Sequence, residues 1–386
     1  MQYSASILFV IPSMRMERTV VCAAALLRRT KMLSIALRQL PFPFCIILLG
    51  LSLLPRAAAQ GYAIGADVSF LAKCEQDGVV FKENGKAVGV LALLREHHYN
   101  WVRLRLFHDP AASADKLPND LPYTLALAKR SKAMGFHLLL DLHYSDTWAD
   151  PGKQFTPAAW SKLKHEQLVH EVYAYTRDAI AALRQQGVLP DMVQVGNEIT
   201  NGMLWPDGKL PDNWDNLADL LNAGIRGVAV GSAPDPRPRI MIHIERSGDY
   251  DAAVWFFDNL IAHHVPFDVI GLSYYPFWHG RIAQLRGNLH DFALRYRLPI
   301  IIVETAYNWT PGGMAGKKTD FPESPEGQLA FLRTVDAAVR AIPNGLGRGV
   351  FWWEPAAEGG LRGRGFFDDD GNVLPVITAF DSSASP

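Results

Sequence analysis

From residue 60 onward the chain alternates between two kinds of segment. Short, nearly continuous apolar runs are followed by polar turns, then by longer stretches in which apolar residues recur every three or four positions. The short runs, at 62–70, 101–107, 136–144, 192–198, 239–245, 267–275, 299–307 and 347–354, predict strands. Leu138-Leu139-Leu140 and Ile300-Ile301-Ile302-Val303 lack the alternation of a half-exposed strand, as expected of parallel strands covered on both faces. The longer stretches predict helices at 88–99, 121–135, 214–230, 251–264, 281–297 and 325–342. Another follows the third strand, where Val169, Val172, Thr176, Ile180 and Leu183 trace one face. Alternating β and α units require a parallel sheet. Eight of them in roughly 300 residues fit an α/β fold of the (β/α)8 (TIM barrel) type, a single domain whose usual size is about 250 residues plus insertions. An open doubly wound sheet is the alternative. It would place a glycine-rich phosphate turn after the first strand, and Gly65-Ala66-Asp67-Val68 is not one.

Residues 1–59 break the pattern. An almost wholly apolar run at 42–54, containing Pro43, is preceded by basic residues and followed by Ala57-Ala58-Ala59. That order is expected of a secretory signal cleaved before Gln60. The run is shorter than the about 20 apolar residues of a membrane-spanning helix; left uncleaved, it would be an amino-terminal anchor. Met32 begins a leader of ordinary length, so residues 1–31 read as the product of a start placed too far upstream. Cleavage removes Cys22 and Cys45 and leaves Cys74 alone. A mature chain of residues 60–386 is therefore expected to be secreted or periplasmic and to depend on core burial rather than on an internal disulfide.

Charge sharpens this division. The 386 residues carry a formal net charge of −1, with 49% hydrophobic and 20% charged side chains, which excludes a disordered chain. Seven basic residues and one acid fall in 1–59, which leaves the remainder with 31 basic and 38 acidic groups. An acidic body does not attract polyanions, so nucleic acid is not an expected partner, and none is expected of the membrane once the leader is gone.

Polar residues gather at the carboxyl ends of the strands, where a barrel of this kind places its chemistry. Arg103 and Arg105 lie on the second strand, Asp141 and His143 on the third, and Asn197-Glu198 end the fourth. His243 and Glu245 end the fifth, Tyr274-Tyr275 the sixth, Glu304 the seventh and Trp353-Glu354 the eighth. Glu198 and Glu304 each follow an apolar run and are thus presented by buried strands. Two carboxyls across a pocket suit glycoside hydrolysis, one protonating the leaving oxygen and the other attacking the anomeric carbon; an ion pair of each with a rim arginine is the alternative. An arginine beside a carboxylate keeps it ionised, which a nucleophile requires. Asn197 can hydrogen-bond a sugar hydroxyl, or serve as a strand-end turn residue. Trp148, Trp205, Trp278, Trp352 and Trp353 fall at or beyond strand ends and could stack on sugar rings, Trp353 foremost. Trp160 and Trp255 read as packing residues. Asp368-Asp369-Asp370-Gly371-Asn372 lacks the ligand spacing of an EF-hand and reads as a surface turn.

Six segments resemble glycoside hydrolase family 53, the endo-β-1,4-galactanases. They are Gly65-Ala66-Asp67-Val68-Ser69, Trp101-Val102-Arg103-Leu104-Arg105-Leu106, the string Asp141 to Pro151, Gln194-Val195-Gly196-Asn197-Glu198-Ile199, Gly271-Leu272-Ser273-Tyr274-Tyr275-Pro276 and Val303-Glu304-Thr305-Ala306-Tyr307. The Asn-Glu pair indicates only a clan of retaining barrel enzymes; the string at 141–151 selects the family. The resemblance implies Glu198 as acid/base and Glu304 as nucleophile. It also implies that Asn197 contacts the 2-hydroxyl of the sugar and that Arg103 orients the nucleophile. His143, one of Tyr274 and Tyr275, and Trp353 would build the −1 subsite, and Arg105, Trp148 and His243 complete the expected substrate-binding set. No cofactor is implied; some family members bind calcium near the eighth strand, and this sequence has no clear equivalent. The expected partner is a β-1,4-galactan or arabinogalactan, met by a monomer. A barrel enzyme for mannan, xylan or a β-glucan is the alternative, as is a glycan-binding protein without catalysis.

Overall fold

The computed structural model describes residues 61–313, 320–357 and 359–383; the leader expected at 1–59 lies outside them. Among the described residues, eight strands close into a barrel in which every neighbouring pair is parallel. In chain order they are β1 (Ala63–Asp67), β2 (Trp101–Leu106), β3 (His137–Leu142), β4 (Met192–Val195), β5 (Arg239–Ile244), β6 (Val269–Tyr274), β7 (Ile300–Thr305) and β8 (Gly347–Trp353). Each coincides with a predicted strand, and the barrel rather than the open sheet is the fold.

Helices pack around the outside. The short α1 (Leu71–Gln76) and α2 (Val90–Glu96) follow β1, α3 (Leu121–Ala133) follows β2, α4 (His165–Gln185) follows β3 and α5 (Trp214–Ser232) follows β4. After β5 comes α6 (Tyr250–Ala262), after β6 the one-turn α7 (Pro276–His279) and α8 (Ile282–Tyr296), and after β7 α9 (Pro325–Arg340). Their starts follow from local chemistry: Asp120 accepts a bond from Tyr123 N–H, Asp249 from Ala252 N–H and Ser324 from Gly327 N–H, each satisfying an otherwise orphaned first-turn donor. The buried face of α4 runs through Leu168, Val172, Thr176, Ile180 and Leu183. It begins at Leu168 rather than at Val169, which is only half-buried. No helix among the described residues is long and apolar enough to cross a membrane.

Two apolar layers flank the strands. The larger lies between strands and helices; the smaller fills the lower barrel with Ala63, Trp101, Leu139, Met192, Met241, Val269, Ile301, Val303 and Phe351. Gly65 makes room within it, since a Cβ there would lie 2.2 Å from the Phe351 ring. Above this plug the inward positions turn polar. Going up the barrel, β2 presents Trp101, Arg103 and Arg105 in turn, so the apolar floor carries a polar platform at the carboxyl ends of the strands.

Candidate active site

The platform begins with Arg103. Its buried guanidinium donates from Nη1 to Asp67 (2.9 Å) and from Nη2 to Asp141 (2.7 Å) and Asn197 Oδ1 (2.9 Å). The same Nη2 lies 2.7 Å from Glu304 Oε1. Arg105, one pleat higher, donates from Nη1 to Asp67 (3.1 Å) and Glu354 (2.8 Å). Its guanidinium sits 4.6 Å from the centroid of the Phe70 ring, 4.8 Å from that of Trp148 and 5.8 Å from that of Trp353. Those ring faces are the setting of its Nε and Nη2, which lack hydrogen-bond partners.

Glu304 reaches the platform through a bulge. The β6–β7 register pairs Leu272 with Ile302 and then Ser273 with Glu304, skipping Val303. Val303 therefore keeps its place in the barrel floor while Glu304 still turns inward. Glu198 reaches it through an irregular strand end. Gly196 has φ +84°, and a Cβ there would lie 2.7 Å from Ile199 Cγ2. Glu198 itself adopts φ +47° and ψ +51°, a left-handed conformation that is costly for a residue with a Cβ. Gln154 Nε2 donates to Asn197 O at 2.7 Å and holds this end of β4 in place.

The two carboxyls line one cavity of about 190 Å³, several times the about 30 Å³ share of one water. Their electrostatic settings differ. Glu304 has the Arg103 guanidinium at 2.7 Å and accepts from Tyr275 Oη at 3.2 Å. Glu198 accepts from Ser273 Oγ at 2.6 Å, a neutral donor. Burial raises the proton affinity of Glu198 first, and the nearby carboxylates of Glu304 and Glu245 raise it further, well above the ordinary range. Burial also raises that of Glu304, but there Arg103 opposes the rise. Asp141, for which burial works in the same upward direction, ends below the usual carboxylate range because Arg103 and His143 more than offset it. Burial pushes the Glu354 carboxyl up to about 8 against the pull of Arg105. Asp67, Asp141, Glu304 and Glu354 thus share two guanidinium groups in a water-poor space, and Glu198 is the carboxyl without a cation at its side. Of the pair, it is the one whose raised proton affinity no neighbouring cation opposes.

Most of the residues singled out in the sequence meet here. Arg105, His143, Trp148, Asn197, Glu198, Tyr275, Glu304 and Trp353 all line the cavity. Asn197 donates one amide proton to Ala149 O at 2.8 Å, which leaves the other for a ligand. Both nitrogens of His143 are engaged within the protein, Nε2 with Asp141 (2.9 Å) and Nδ1 with Ala149 N–H (3.2 Å), so it presents only its ring.

Arg103, His243 and Tyr274, named with the substrate-binding set, do not line the cavity. Arg103 is fully buried and sits behind Glu304, where it can orient that carboxylate but not touch a ligand. His243 points into the barrel but lies beneath Asn197, at 0% exposure, and touches Gln194, Asn197 and Ser273. Tyr274 points outward: its ring stacks on Phe331 at 6.0 Å and its hydroxyl donates to Gly280 O. Of the two tyrosines, Tyr275 is the one that faces the site. Trp352 is likewise turned outward and buried, with its indole N–H on Arg364 O, while Trp205 donates to Asn201 O and lies off the cavity wall.

Other wall residues were outside the expected substrate-binding set. Asp150 lies within the 141–151 string, Trp278 is one of the aromatics expected to be able to stack on sugar rings, and Arg364 comes from the loop after β8 with no strand-end signal of its own. Beneath the wall, Asp67, Asp141, Gln194 and Ser273 stand at inward positions of β1, β3, β4 and β6; each is a polar residue in an otherwise apolar run, which was the available signal. In the turn at 368–372, Asp368 Oδ1 accepts from Asp370 N–H and Asn372 N–H. Among the described residues, no group of three or more His, Cys, Asp or Glu side chains is placed to hold a metal ion.

Comparisons with known proteins agree with this geometry. Residues 63–380 match the model of glycosyl hydrolase family 53. A probable arabinogalactan endo-β-1,4-galactanase A of Aspergillus terreus is 38% identical over 324 residues, covering 79% of this chain and 89% of that protein. An arabinogalactan endo-β-1,4-galactanase of Cellvibrio japonicus is 37% identical over 311 residues, covering 76% and 80% respectively. A solved structure from a study of two fungal β-1,4-galactanases superposes with a TM-score of 0.75 at 33% identity, over 83% of this chain and 98% of that one. The chain belongs to glycosyl hydrolase family 53 and is a glycoside hydrolase.

Proposed function

We propose that this enzyme hydrolyses internal β-1,4-galactosidic bonds of galactan and arabinogalactan with retention of anomeric configuration. The observation that carries the mechanism is the contrast between the two carboxyls: Glu304 held by Arg103 and Tyr275, Glu198 held only by the Ser273 hydroxyl. The substrate rests on the galactanase names of the relatives, which share the family and over a third of the aligned residues.

In this reading Glu304 attacks the anomeric carbon while Glu198 gives its proton to the departing glycosidic oxygen. The covalent galactosyl-enzyme then reacts with a water that Glu198, now a carboxylate, deprotonates. Arg103 keeps Glu304 available as an anion, and the free amide proton of Asn197 faces the sugar hydroxyls. Trp148 and Trp353, whose ring centroids are 6.0 Å apart, offer apolar faces to the pyranose rings. Export across the membrane belongs to the same reading and rests on the basic, apolar and small-residue order of positions 1–59.

The test is reducing-sugar release from unbranched β-1,4-galactan beside mannan, xylan and a β-glucan, with Glu198→Gln and Glu304→Gln as controls. Proton NMR of the first product assigns the anomer. Galactan cleavage to a β-anomer, lost in both variants, is the expected result. An α-anomer overturns retention, activity on another polymer overturns the substrate, and recovery of the protein from the cytoplasm of its native host overturns export.

A further inference from the structure

Behind Glu198 lies a row of buried polar atoms, of which the mechanism above uses only the Ser273 hydroxyl. Ser273 Oγ stands 2.6 Å from Glu198 Oε1 and 2.8 Å from His243 Nε2. On the far side of the imidazole, His243 Nδ1 lies 3.0 Å from Gln194 Nε2 and 3.0 Å from Asn197 Oδ1. Ser273 and His243 are both at 0% exposure, so Glu198 Oε1 is turned into the protein and Oε2 is the oxygen left to the cavity.

The partners narrow the direction of these bonds to two alternatives. Gln194 Oε1 accepts from Arg103 Nη2 at 3.2 Å, which puts its amide nitrogen toward Asp141 Oδ1 at 2.6 Å and toward the imidazole. Asn197 Oδ1 already accepts from Arg103. Gln194 Nε2 has four acceptors in reach for its two protons: Asp141 Oδ1, Gly196 O at 3.2 Å, Asn197 Oδ1 at 3.0 Å and His243 Nδ1 at 3.0 Å. When Nδ1 takes one of them, the imidazole carries its proton on Nε2 and donates it to Ser273 Oγ. The serine hydroxyl proton then has one place to go, Glu198 Oε1. The opposite tautomer reverses every bond: Nδ1–H points at Asn197, the serine donates to Nε2, and Glu198 holds its proton on Oε1, facing away from the glycosidic oxygen.

We infer that Ser273 and His243 are positioning residues that hold Oε1 of Glu198 proton-free and leave Oε2 to carry the proton delivered to the leaving group. This rests on Glu198 as the acid/base. His243 suits the task because burial and the nearby Arg103 charge keep the imidazole neutral, so the chain transmits direction without adding a charge. Asp141, His143 and His279 also face that ring. Glu198 is faced by Glu304 of β7, Glu245 after β5, Asp150 after β3 and Tyr275 after β6. Ser273 is the group whose hydrogen bond favours its carboxylate form.

The test uses purified enzyme and a series of aryl β-1,4-galactobiosides running from dinitrophenyl to phenyl. A dinitrophenolate leaves without an acid; a phenolate needs one. Ser273→Ala is expected to lower kcat/KM about 10- to 100-fold on the phenyl compound and on galactan, part of the about 10²–10⁴ that general acid catalysis supplies, with less than about a threefold change on the dinitrophenyl compound. The alkaline limb of its pH profile moves upward, because a donor to the carboxylate has been removed. Ser273→Thr restores the activity, and Ser273→Cys, a weaker donor, falls between. Loss that is equal across the series, or an unmoved alkaline limb, overturns the inference. Glu198→Gln in the same series separates the two levels. If that variant shows no dependence on the leaving group, the acid/base assignment itself fails. If it does and Ser273→Ala does not, only the relay fails.

Discussion

Arg103→Met removes the cation on which the site is built. The guanidinium serves Asp67, Asp141, Asn197 and Glu304 at 2.7–2.9 Å, and the loss is unequal among them. Asp67 keeps Arg105, and Asp141 keeps His143 and the Gln194 amide. Glu304 keeps one hydroxyl, that of Tyr275. Removing one partner of a buried ion pair costs about 3–5 kcal/mol. At about 2–4 °C per kcal/mol for a chain somewhat smaller than this one, the melting temperature at neutral pH should fall by roughly 10 °C. Asp141 sets the pH dependence of that cost. Its proton affinity is depressed in the folded state, so its contribution is present above the ordinary aspartate value of 3.8 and is lost as pH falls through the lower folded value. The gap between wild type and variant is therefore widest near neutrality and closes in acid.

Kinetics then distinguishes scaffold from catalyst. Glu304 must be ionised to attack, and Arg103 lowers its proton affinity, so the variant's acid limb of kcat/KM moves to higher pH. Lost electrostatic support at the reacting centre costs about 10²–10³ in kcat. Arg103→Lys keeps the charge but replaces a five-donor fork with one ammonium, which cannot span Asp67 and Glu304 together. It should keep the acid limb near that of wild type while kcat still falls. The measurements are calorimetry at several pH values and pH–rate profiles on galactan. A folded Met variant whose acid limb stays at the wild-type position would refute the electrostatic argument.

Paired substitutions test the remaining assignments. Tyr275→Phe should lower kcat on galactan about tenfold or more by removing a donor to Glu304, while Tyr274→Phe, facing the helices, leaves kcat within twofold; equal effects would contradict the inward–outward assignment. Trp353→Ala should raise KM for galactan with a modest effect on melting. Trp352→Ala should cost about 3–5 kcal/mol of stability, read from urea unfolding, because its indole is buried. Glu198→Gln should be more stable than wild type by a margin that grows with pH. A carboxyl whose folded proton affinity is raised contributes stability below 4.5 and loses it as pH rises toward the folded value, at up to about 1.4 kcal/mol per pH unit, whereas glutamine does not titrate. A margin that is flat from pH 5 to 8 would contradict the burial argument.

The barrel was legible in the sequence because burial on both faces leaves a signal in every strand: an apolar run too continuous for a solvated sheet, then a turn, then helical spacing. The polar platform was legible for a related reason. Arg103 and Arg105, Asp141 and His143, and Gln194 interrupt runs that should be apolar, and a buried charge is retained only where something compensates it. Strand parity also assigns the two tyrosines. Val269, Gly271 and Ser273 face inward, so Tyr275 must as well and Tyr274 must not. The orientation of the two tyrosines was therefore present in the alternation once one inward residue of β6 was known.

What alternation does not encode is depth and its own interruptions. His243 has the same parity as Met241 and Glu245 and points into the barrel, yet it stands one layer below the cavity with Asn197 over it. Parity reports the side of a strand, whereas the height of a residue depends on the tilt and stagger of eight strands, which no single segment contains. Glu304 is the sharper case. Ile301 and Val303 belong to the barrel floor, so strict alternation would send Glu304 outward and Thr305 in. The bulge beside Ser273 reverses this, and the left-handed turn at Gly196 and Glu198 does the equivalent on β4. Both expected catalytic carboxyls thus stand where the regular strand breaks. A regular parallel strand offers the cavity one residue in two, and at these strand ends neighbouring side chains are needed on the same side. Asn197 and Glu198 both face the cavity, and Glu304 does so directly after the inward Val303. Each irregularity costs stability locally, and the Arg103 network beneath supplies the rigid support that lets both persist.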